Sequence, residues 1–581
     1  MRRLLPTLFV IALSSSGMSW ADDHQAIEWR PWSDTLFSEA RNAQRFVLLD
    51  LGTVWCHWCH VMEEVTYGDP AVIELIRKRY IAVKVDADAR PDLSNRYEDY
   101  GWPATIIFNA GGGEIVKRRG YLPPRQMASM LQAIIDDPTP GPSVIEEAPV
   151  VAGTASALPG DAREQLRRTL IESYDPNNLG WGTVQKFLDA NIIEYSMNES
   201  RRGQKDFDRM ARETLSSELQ LLDPAWGGVY QYSTDGDWQH PHFEKIMQRQ
   251  ADDLRVYAHG YALWHDDKWL LAAQRIRDFL KNFLTSPDGA FYTSQDADLI
   301  PGQHAGEYFQ LNDSERRKMG IPRIDTHIYS RENGWAIDSL TVLAALSDDT
   351  EALTDAIRAA NWICAHRSLP GGGFRHDERD SAGPYLGDSL SMGRAFLSLY
   401  GSTADRRWLD RAQHTADFIA LNFRAESGYV SDAHEGALKS KPQLDENVGL
   451  VRFANLLAHY TGKLGYREMA EHGMRFLATP HATDRRGFLV AGVLIADEEF
   501  NAPPQHLTVV GGKDDPVAQA LFAAAIKQPA VYKRVEWWDP REGALPNPDV
   551  EYPVLGRAAA FRCSENRCSS PFYSPEKLIQ K

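Results

Sequence analysis

Apolar and polar positions divide the chain into three regimes. Between about Glu28 and Asp136, short β-type runs at Phe46 to Leu51, Ile81 to Asp86 and Ala104 to Phe108 alternate with helical stretches. Asp69-Pro70 supplies an N-cap and a first-turn proline for a helix whose apolar side is Ile73, Ile76 and Tyr80. This predicts a compact α/β domain. From about Arg163 to Thr479 the period is helical. Leu254, Tyr257, Ala258, Tyr261 and Ala262 follow i, i+3, i+4, i+7, i+8 spacing. Trp269, Ala273, Ile276, Leu280 and Phe283 continue the pattern on a partner helix after the polar turn His265-Asp266-Asp267. After about Pro503 the α/β pattern returns, with strands predicted at His506 to Val510 and Tyr532 to Trp537 around a helix at Asp514 to Ile526.

The stretch Asp137 to Asp161 is rich in Pro, Gly, Ala, Ser and Thr and has no apolar period, so it reads as a linker. Glycine followed closely by an aromatic residue recurs at Gly180-Trp181, Gly228-Val229-Tyr230, Gly289-Ala290-Phe291-Tyr292, Gly373-Phe374, Gly428-Tyr429 and Gly487-Phe488. These landmarks predict six helical hairpins, which can close into a toroid or stack as an open array. The expected divisions are residues 22–136, a linker over 137–160, a helical body over 161–500 and a C-terminal α/β segment over 501–581.

Composition narrows the functional classes. With 63 Lys plus Arg against 80 Asp plus Glu, the formal charge is -17, the wrong sign for a nucleic-acid or anionic-membrane surface. Met1-Arg2-Arg3, a short apolar stretch from Leu4 to Leu13 and small residues ending at Ala21 form the pattern of a secretory signal over residues 1–21. That stretch is well short of the roughly 20 residues a membrane span needs. The expectation is a periplasmic or secreted chain in an oxidising compartment, with five cysteines too few for a disulfide scaffold.

Cys56-His57-Trp58-Cys59 follows an apolar strand and opens a helix. A helix N-terminus stabilises the first thiolate, and the second thiol resolves a mixed disulfide. His57 beside the thiolate lowers its pKa, whereas turned to solvent it does nothing. Three other readings stand beside exchange chemistry: Cys56-x-x-Cys59-His60 fits c-type haem attachment, Cys56 and Cys59 with His57 or His60 could hold zinc, and the pair could be a structural disulfide. Cys563 and Cys568 are close enough to pair after export, as a structural disulfide or as a relay to the first pair. Cys364 lies in a helical apolar run and is expected to be a core thiol.

Over about Phe46 to Leu131 the sequence resembles the thioredoxin fold, on Trp55, on Asp50 six residues before Cys56, and on Gly101-Trp102-Pro103 before the strand at Ala104 to Phe108. The resemblance implies that Cys56 is the attacking nucleophile and Cys59 the resolving thiol. It also implies that Asp50 is the buried carboxylate handling its proton and Pro103 the cis-proline facing the disulfide. Trp55, His57, Trp58 and Trp102 would tune the pair, and the bulk of Trp102 would narrow access to it.

The string from Trp55 to Val72 (WCHWCHVMEEVTYGDPAV) is similar to a narrower group, the bacterial and animal proteins typified by spermatogenesis-associated protein 20. Gly228-Val229-Tyr230 with Trp238 to Lys245, Phe291 to Asp298, Val509-Val510-Gly511 with Asp514-Asp515-Pro516, and Cys563 with Cys568-Ser569 extend the match. The resemblance implies a multidomain fold: an N-terminal α/β thioredoxin-like domain, a central all-α (α/α)6 six-hairpin toroid and a small α/β C-terminal segment. One region departs. Tyr329-Ser330-Arg331-Glu332-Asn333-Gly334 stands where relatives carry an acidic-acidic-lysine string before Trp-Asn-Gly.

A sugar-cleaving barrel needs two carboxylates flanking a bond. Glu244, Asp252, Asp296, Asp298 and Glu307 are candidates, with His240 and His242 as proton carriers. Capping alone also favours Asp and Glu at helix starts. The leading expectation is a thiol-disulfide oxidoreductase acting on protein thiols or disulfides, fused to a helical barrel that binds a carbohydrate or protein partner, with no cofactor and no bound metal. The alternative is a carbohydrate-active hydrolase or epimerase with an accessory thioredoxin-like domain.

Overall fold

The computed structural model describes residues 26–144, 153–564 and 567–579, apart from the single positions 381, 435, 481 and 485. The expected leader lies outside the described residues.

The N-terminal sheet has the order Tyr80–Asp86, Phe46–Gly52, Ala104–Phe108, Glu114–Arg119. The first pair is parallel and the others antiparallel. The central strand Phe46–Gly52 is buried from its second residue onward, which explains an apolar run interrupted only by Asp50. The edge strand Glu114–Arg119 buries only Ile115 and Val116 and carries charge elsewhere, so its sequence has no readable strand period. Asp69 caps the helix Pro70–Arg79 by accepting from the backbone N–H groups of Ala71 and Val72. Tyr80, expected on that helix, instead opens the strand Tyr80–Asp86.

The helical body is a closed double ring. Six inner helices, Ala190–Arg201, Met247–Trp264, Ser330–Ser347, Leu386–Thr403, Leu444–Thr461 and Ala491–Asn501, each pack on the next, and the last returns to the first. Outer helices follow the first five in antiparallel hairpins, and Gly160–Glu172 covers the sixth from the N-terminal side. Four inner helices end in a left-handed residue, His265, Asp348, Ala404 or Gly462, and the next residue caps or begins the return helix. Asp266, Asp349 and Asp405 do this with their carboxylates.

The glycine landmarks mark the reverse connection, from an outer helix to the next inner one. There Val229, Phe291 and Tyr429 each donate a backbone N–H to, and accept a side-chain N–H from, one amide on the following inner helix. Those amides belong to Gln250, Asn333 and Asn447. A buried amide that satisfies both backbone groups lets a non-helical segment run through the core without orphaned polar atoms.

The C-terminal segment is a sheet ordered Lys533–Trp538, Gln505–Val510, Ala559–Ser564, Arg567–Cys568, with helix Pro516–Ile526 packed on it. It covers the C-terminal ends of the inner helices: Asn455 donates to the Tyr532 hydroxyl at 2.7 Å, and Lys513 to the Ala404 carbonyl at 2.8 Å. The thioredoxin-like domain covers the opposite ends. Asn95 donates to Glu446 at 3.0 Å and His376 donates to the Asp88 carbonyl at 2.7 Å. No described helix is long and apolar enough to cross a membrane.

Candidate functional site

The central strand delivers the chain through Thr53 and Val54 to Cys56, the N-cap of the short helix His57–Val61. Cys56 and Cys59 form a disulfide, and the Cys59 N–H points to the Cys56 sulfur at 3.2 Å. Gly52 permits this packing, because a Cβ there would stand 3.1 Å from the Cys59 sulfur. Asp50 lies buried on the same strand, accepts from the Tyr67 hydroxyl at 3.1 Å and pairs across the sheet with Lys84. Burial raises its pKa to about 6, against the opposing pull of Lys84 and Tyr67. The Trp102–Pro103 peptide is cis.

The barrel then changes the picture. Cys56, the expected attacking thiol, is only 4% exposed, while Trp58 projects outward at 42%. The barrel loop carrying Asp296, Ala297 and Asp298 docks on the residues that flank Cys56. The Ala297 N–H donates to the Trp55 carbonyl at 3.4 Å. Asp298 reaches His57 Nδ1 at 2.7 Å with one oxygen and His60 Nδ1 at 3.0 Å with the other. Asp296 lies 3.7 Å from His60 Nε2. Burial works to raise the Asp298 pKa, but the hydrogen bonds of His57 and His60 overcome it and hold the carboxylate at about 2. His60 loses protonation to burial but regains more from Asp298 and Asp296, and ends above the ordinary histidine range.

The candidate barrel residues therefore do not form one sugar-cleaving set. Asp296 and Asp298 belong to the cysteine motif. Glu244 joins them: it is buried, its pKa is raised to about 7 by burial, and its Oε2 has no hydrogen-bond partner. His242 stacks on Tyr232 and stands 3.9 Å from Glu244, with its pKa lowered to about 4 by burial and then by His57 and His304. His240 is exposed and bound to Asp237 at 2.9 Å, and Glu307 is exposed on the short helix Gly306–Phe309. Only Asp252 faces the barrel interior, its pKa raised to about 6 by burial.

That interior is a cavity of about 500 Å³, roofed by Trp55, Trp102, Asp88 and Glu98 of the thioredoxin-like domain. Its walls include Asp252, Arg255, Arg331, Trp335, Arg394 and Glu446. Arg331, at the position of departure noted above, donates to Glu332 at 2.7 Å and, through its backbone N–H, to the Asp388 carboxylate. Hydrophobic periodicity could not reveal this chamber. Its signal was the string of charged residues at inner-helix starts, which capping equally explains.

Cys563 and Cys568 form a disulfide at the far end of the barrel. An 18-residue inner helix rises roughly 27 Å, which sets the scale of separation between the two cysteine pairs. Cys364 is half-buried, with its thiol pKa pushed up to about 11 by burial.

Residues 11–136 match a family model described as "Protein of unknown function, DUF255", of thioredoxin type. Human spermatogenesis-associated protein 20 is 24% identical over 461 residues, covering 73% of this chain and 54% of that protein. The chain spans about half the length of the curated relatives it first matches. Thioredoxin 1 of Chlorobaculum tepidum is 30% identical over 103 residues, 18% of this chain and 98% of that protein. Among solved structures, cellobiose 2-epimerase from Spirochaeta thermophila is 12% identical with a TM-score of 0.44, covering 59% of this chain and 97% of that one. The chain carries a thioredoxin-like domain of the DUF255 type, docked on a closed six-hairpin barrel, and is homologous to the spermatogenesis-associated protein 20 proteins.

Proposed function

We propose that the chain is an exported thiol-disulfide oxidoreductase. Cys56 thiolate attacks a partner disulfide, one sulfur of that disulfide leaves as a thiolate, and Cys59 displaces the second. The product is oxidised Cys56–Cys59 and a reduced partner dithiol, and the reverse direction follows the same bonds. Asp50 takes the Cys59 proton as that thiol attacks. The observation that carries the reading is the cysteine pair at a helix N-terminus beside a buried carboxyl poised near pH 6, a group able to accept or give a proton at neutral pH. The burial of Cys56 adds a condition: exchange with a protein requires a local opening, for which the Asp296–Asp298 segment bound to His57 and His60 is the gate in this reading. The basic-apolar-small pattern at the N-terminus supports periplasmic or secreted placement. Titration of the purified chain against glutathione, with thiol trapping and mass spectrometry, tests the reading. A reversible two-electron transition at Cys56 and Cys59, lost in Cys56→Ser, is the expected result, and a pair locked across the accessible range overturns it.

A second reading rests on the chamber. A cavity of this size lined by Trp102, Trp335, carboxylates and arginines suits a small polar ligand such as a carbohydrate, with rings for stacking and paired charges for hydroxyls. Sugar-dependent thermal stabilisation, abolished by Asp252→Ala with the redox titration unchanged, would establish it.

A further inference from the structure

The groups at the seam between the domains contain a constellation that thiol exchange does not use. His60, Asp296 and Asp298 each present a ligand-type atom, and these atoms all lie within 4.8 Å of one another. The ring of His60 is held in a particular sense. Its Nε2 lies 3.2 Å from the Val54 carbonyl oxygen, and its Nδ1 lies 3.0 Å from Asp298 Oδ2. A carbonyl can only accept, so Nε2 carries the hydrogen, and in the neutral ring the Nδ1 lone pair faces the carboxylate. Metal-bound imidazoles have this arrangement, with the second nitrogen donating to a backbone carbonyl that fixes tautomer and orientation. A lone pair aimed at a carboxylate oxygen is repulsive unless a cation stands between them.

A proton on Nδ1 would answer that repulsion for one pair, but the charge balance of the cluster asks for more. Glu244 is 3% exposed, is electrostatically coupled to Asp296 and His57, and has an Oε2 without a hydrogen-bond partner. Among the described residues, the ion-pair partners of Glu244, Asp296 and Asp298 are histidines. Asp296 and Asp298 lie buried beside His60 with no lysine or arginine within ion-pair distance among the described residues, Arg323 acting on Asp296 only from farther off, and a dication bound between them supplies the charge they lack. Ligands of a tetrahedral ion with bonds of about 2.1 Å stand about 3.4 Å apart, close to the His60–Asp298 separation.

We propose that His60, Asp296 and Asp298 form a binding site for a divalent transition metal of the zinc class, with Glu244 beside it. Mixed nitrogen and oxygen donors suit Zn²⁺ and its first-row neighbours rather than Ca²⁺ or Mg²⁺. The site takes one ligand from the cysteine motif and two from the barrel loop, so an ion there clamps the two domains together beside Cys56. It uses neither cysteine, and it stands whether or not the pair exchanges disulfides.

The test uses the oxidised full-length mature chain, stripped with chelator, and two probes, Zn²⁺ in competition with a chromophoric chelator and Co²⁺ by absorption. Expected are saturable one-to-one uptake, cobalt d–d bands without thiolate-to-cobalt charge transfer, and a Zn²⁺-dependent rise in melting temperature. Asp296→Asn and His60→Gln should each weaken uptake at least about 10-fold. Asp296→Glu should restore most of it, and Cys56→Ser/Cys59→Ser should leave it unchanged. Near-UV circular dichroism in chelator verifies that each variant is folded, and wild-type cobalt spectra decide the matter if one is not. Unsaturable uptake by the wild type overturns the proposal, as does affinity indifferent to both Asp296→Asn and His60→Gln. A charge-transfer band that disappears in the cysteine variant overturns it too, by assigning the metal to the thiols.

Discussion

Asp298→Asn in chelator-treated, fully reduced protein should expose Cys56. The carboxylate is almost fully buried and holds both histidines of the cysteine motif, besides accepting from the Gly302 N–H of its own loop at 2.8 Å. Its fall from an ordinary 3.8 to about 2 corresponds to about 2 kcal/mol of preference for the charged form in the folded state. Part of that preference comes from Gly302, which stays with the loop when it lifts. The remainder corresponds to a population of the lifted state increased about 10- to 30-fold. Because the native pKa is depressed, the Asp298 contribution is full above about pH 4 and is lost as pH falls through about 2. The His60 contribution has the opposite sense, since its native pKa is raised: it is full below the ordinary 6.5 and is lost as pH rises above the native value. The window of tight closure is therefore about pH 4 to 6.5. The assay is the rate of Cys56 alkylation at pH 6, resolved by peptide mass spectrometry and normalised to the unfolded chain. An increase below about threefold would refute the view that Asp298 latches the loop beside the thiol.

Three further outcomes follow from other parts of the molecule. Asp50→Asn should abolish the rise in exchange rate through about pH 6; because the native carboxyl binds its proton more tightly than the unfolded one, the native state is penalised as pH rises from about 4 to 6, and the variant should be more stable than wild type by up to roughly 3 kcal/mol above pH 7 but not below pH 4, read by thermal melts at both. Asp223, Lys245 and Arg316 are fully buried, with Asp223 Oδ2 at 2.6 Å and 2.7 Å from the two cations; Asp223→Asn should cost about 3 to 5 kcal/mol in denaturant unfolding, and a loss below about 1 kcal/mol would show the cations find other partners. Cys563→Ser/Cys568→Ser should leave the Cys56–Cys59 potential unchanged, and a shifted potential would reveal a relay despite the length of the barrel between the pairs.

The parts of this molecule that could be read along the chain are those whose cause is local. The apolar run before Cys56, interrupted only by Asp50, marks a strand buried on both faces. The His265-Asp266-Asp267 turn announces a left-handed helix end followed by a cap. The glycine landmarks were visible as a repeat, but their partners, Gln250, Asn333 and Asn447, lie 18 to 42 residues away and look like ordinary helix polar residues. The site was legible in its cysteines and in Asp50, all set by one strand and its turn. The association of His57 and His60 with Asp298 spans 241 and 238 residues and two domains, so neither spacing nor period could reveal it. The sugar-site reading of Glu244, Asp296 and Asp298 identified residues that share a site but not the one they share, because carboxylates near a barrel mouth look alike whether they face a cavity or a docked domain.

All six inner helices begin at the chamber and run away from it, since Asp189, Gln248, Arg331, Gly387, Asp445 and Leu489 at or beside their first turns line its walls. Each helix start carries about half a positive charge in unsatisfied backbone N–H groups, so the ring concentrates about three positive charges beneath the thioredoxin-like roof. Seven acidic residues there, Asp88, Glu98, Asp189, Asp252, Asp338, Asp445 and Glu446, stand against the helix starts and six lining arginines, and the raised pKa values of Glu98, Asp189, Asp252 and Glu446, near 6 to 7, make that counterweight adjustable. Protonation of these groups on mild acidification would leave the arginines and helix starts less opposed and make the vestibule more attractive to anions. The interior thus has the character of an ion-exchange bead whose selectivity follows the acidity of its surroundings.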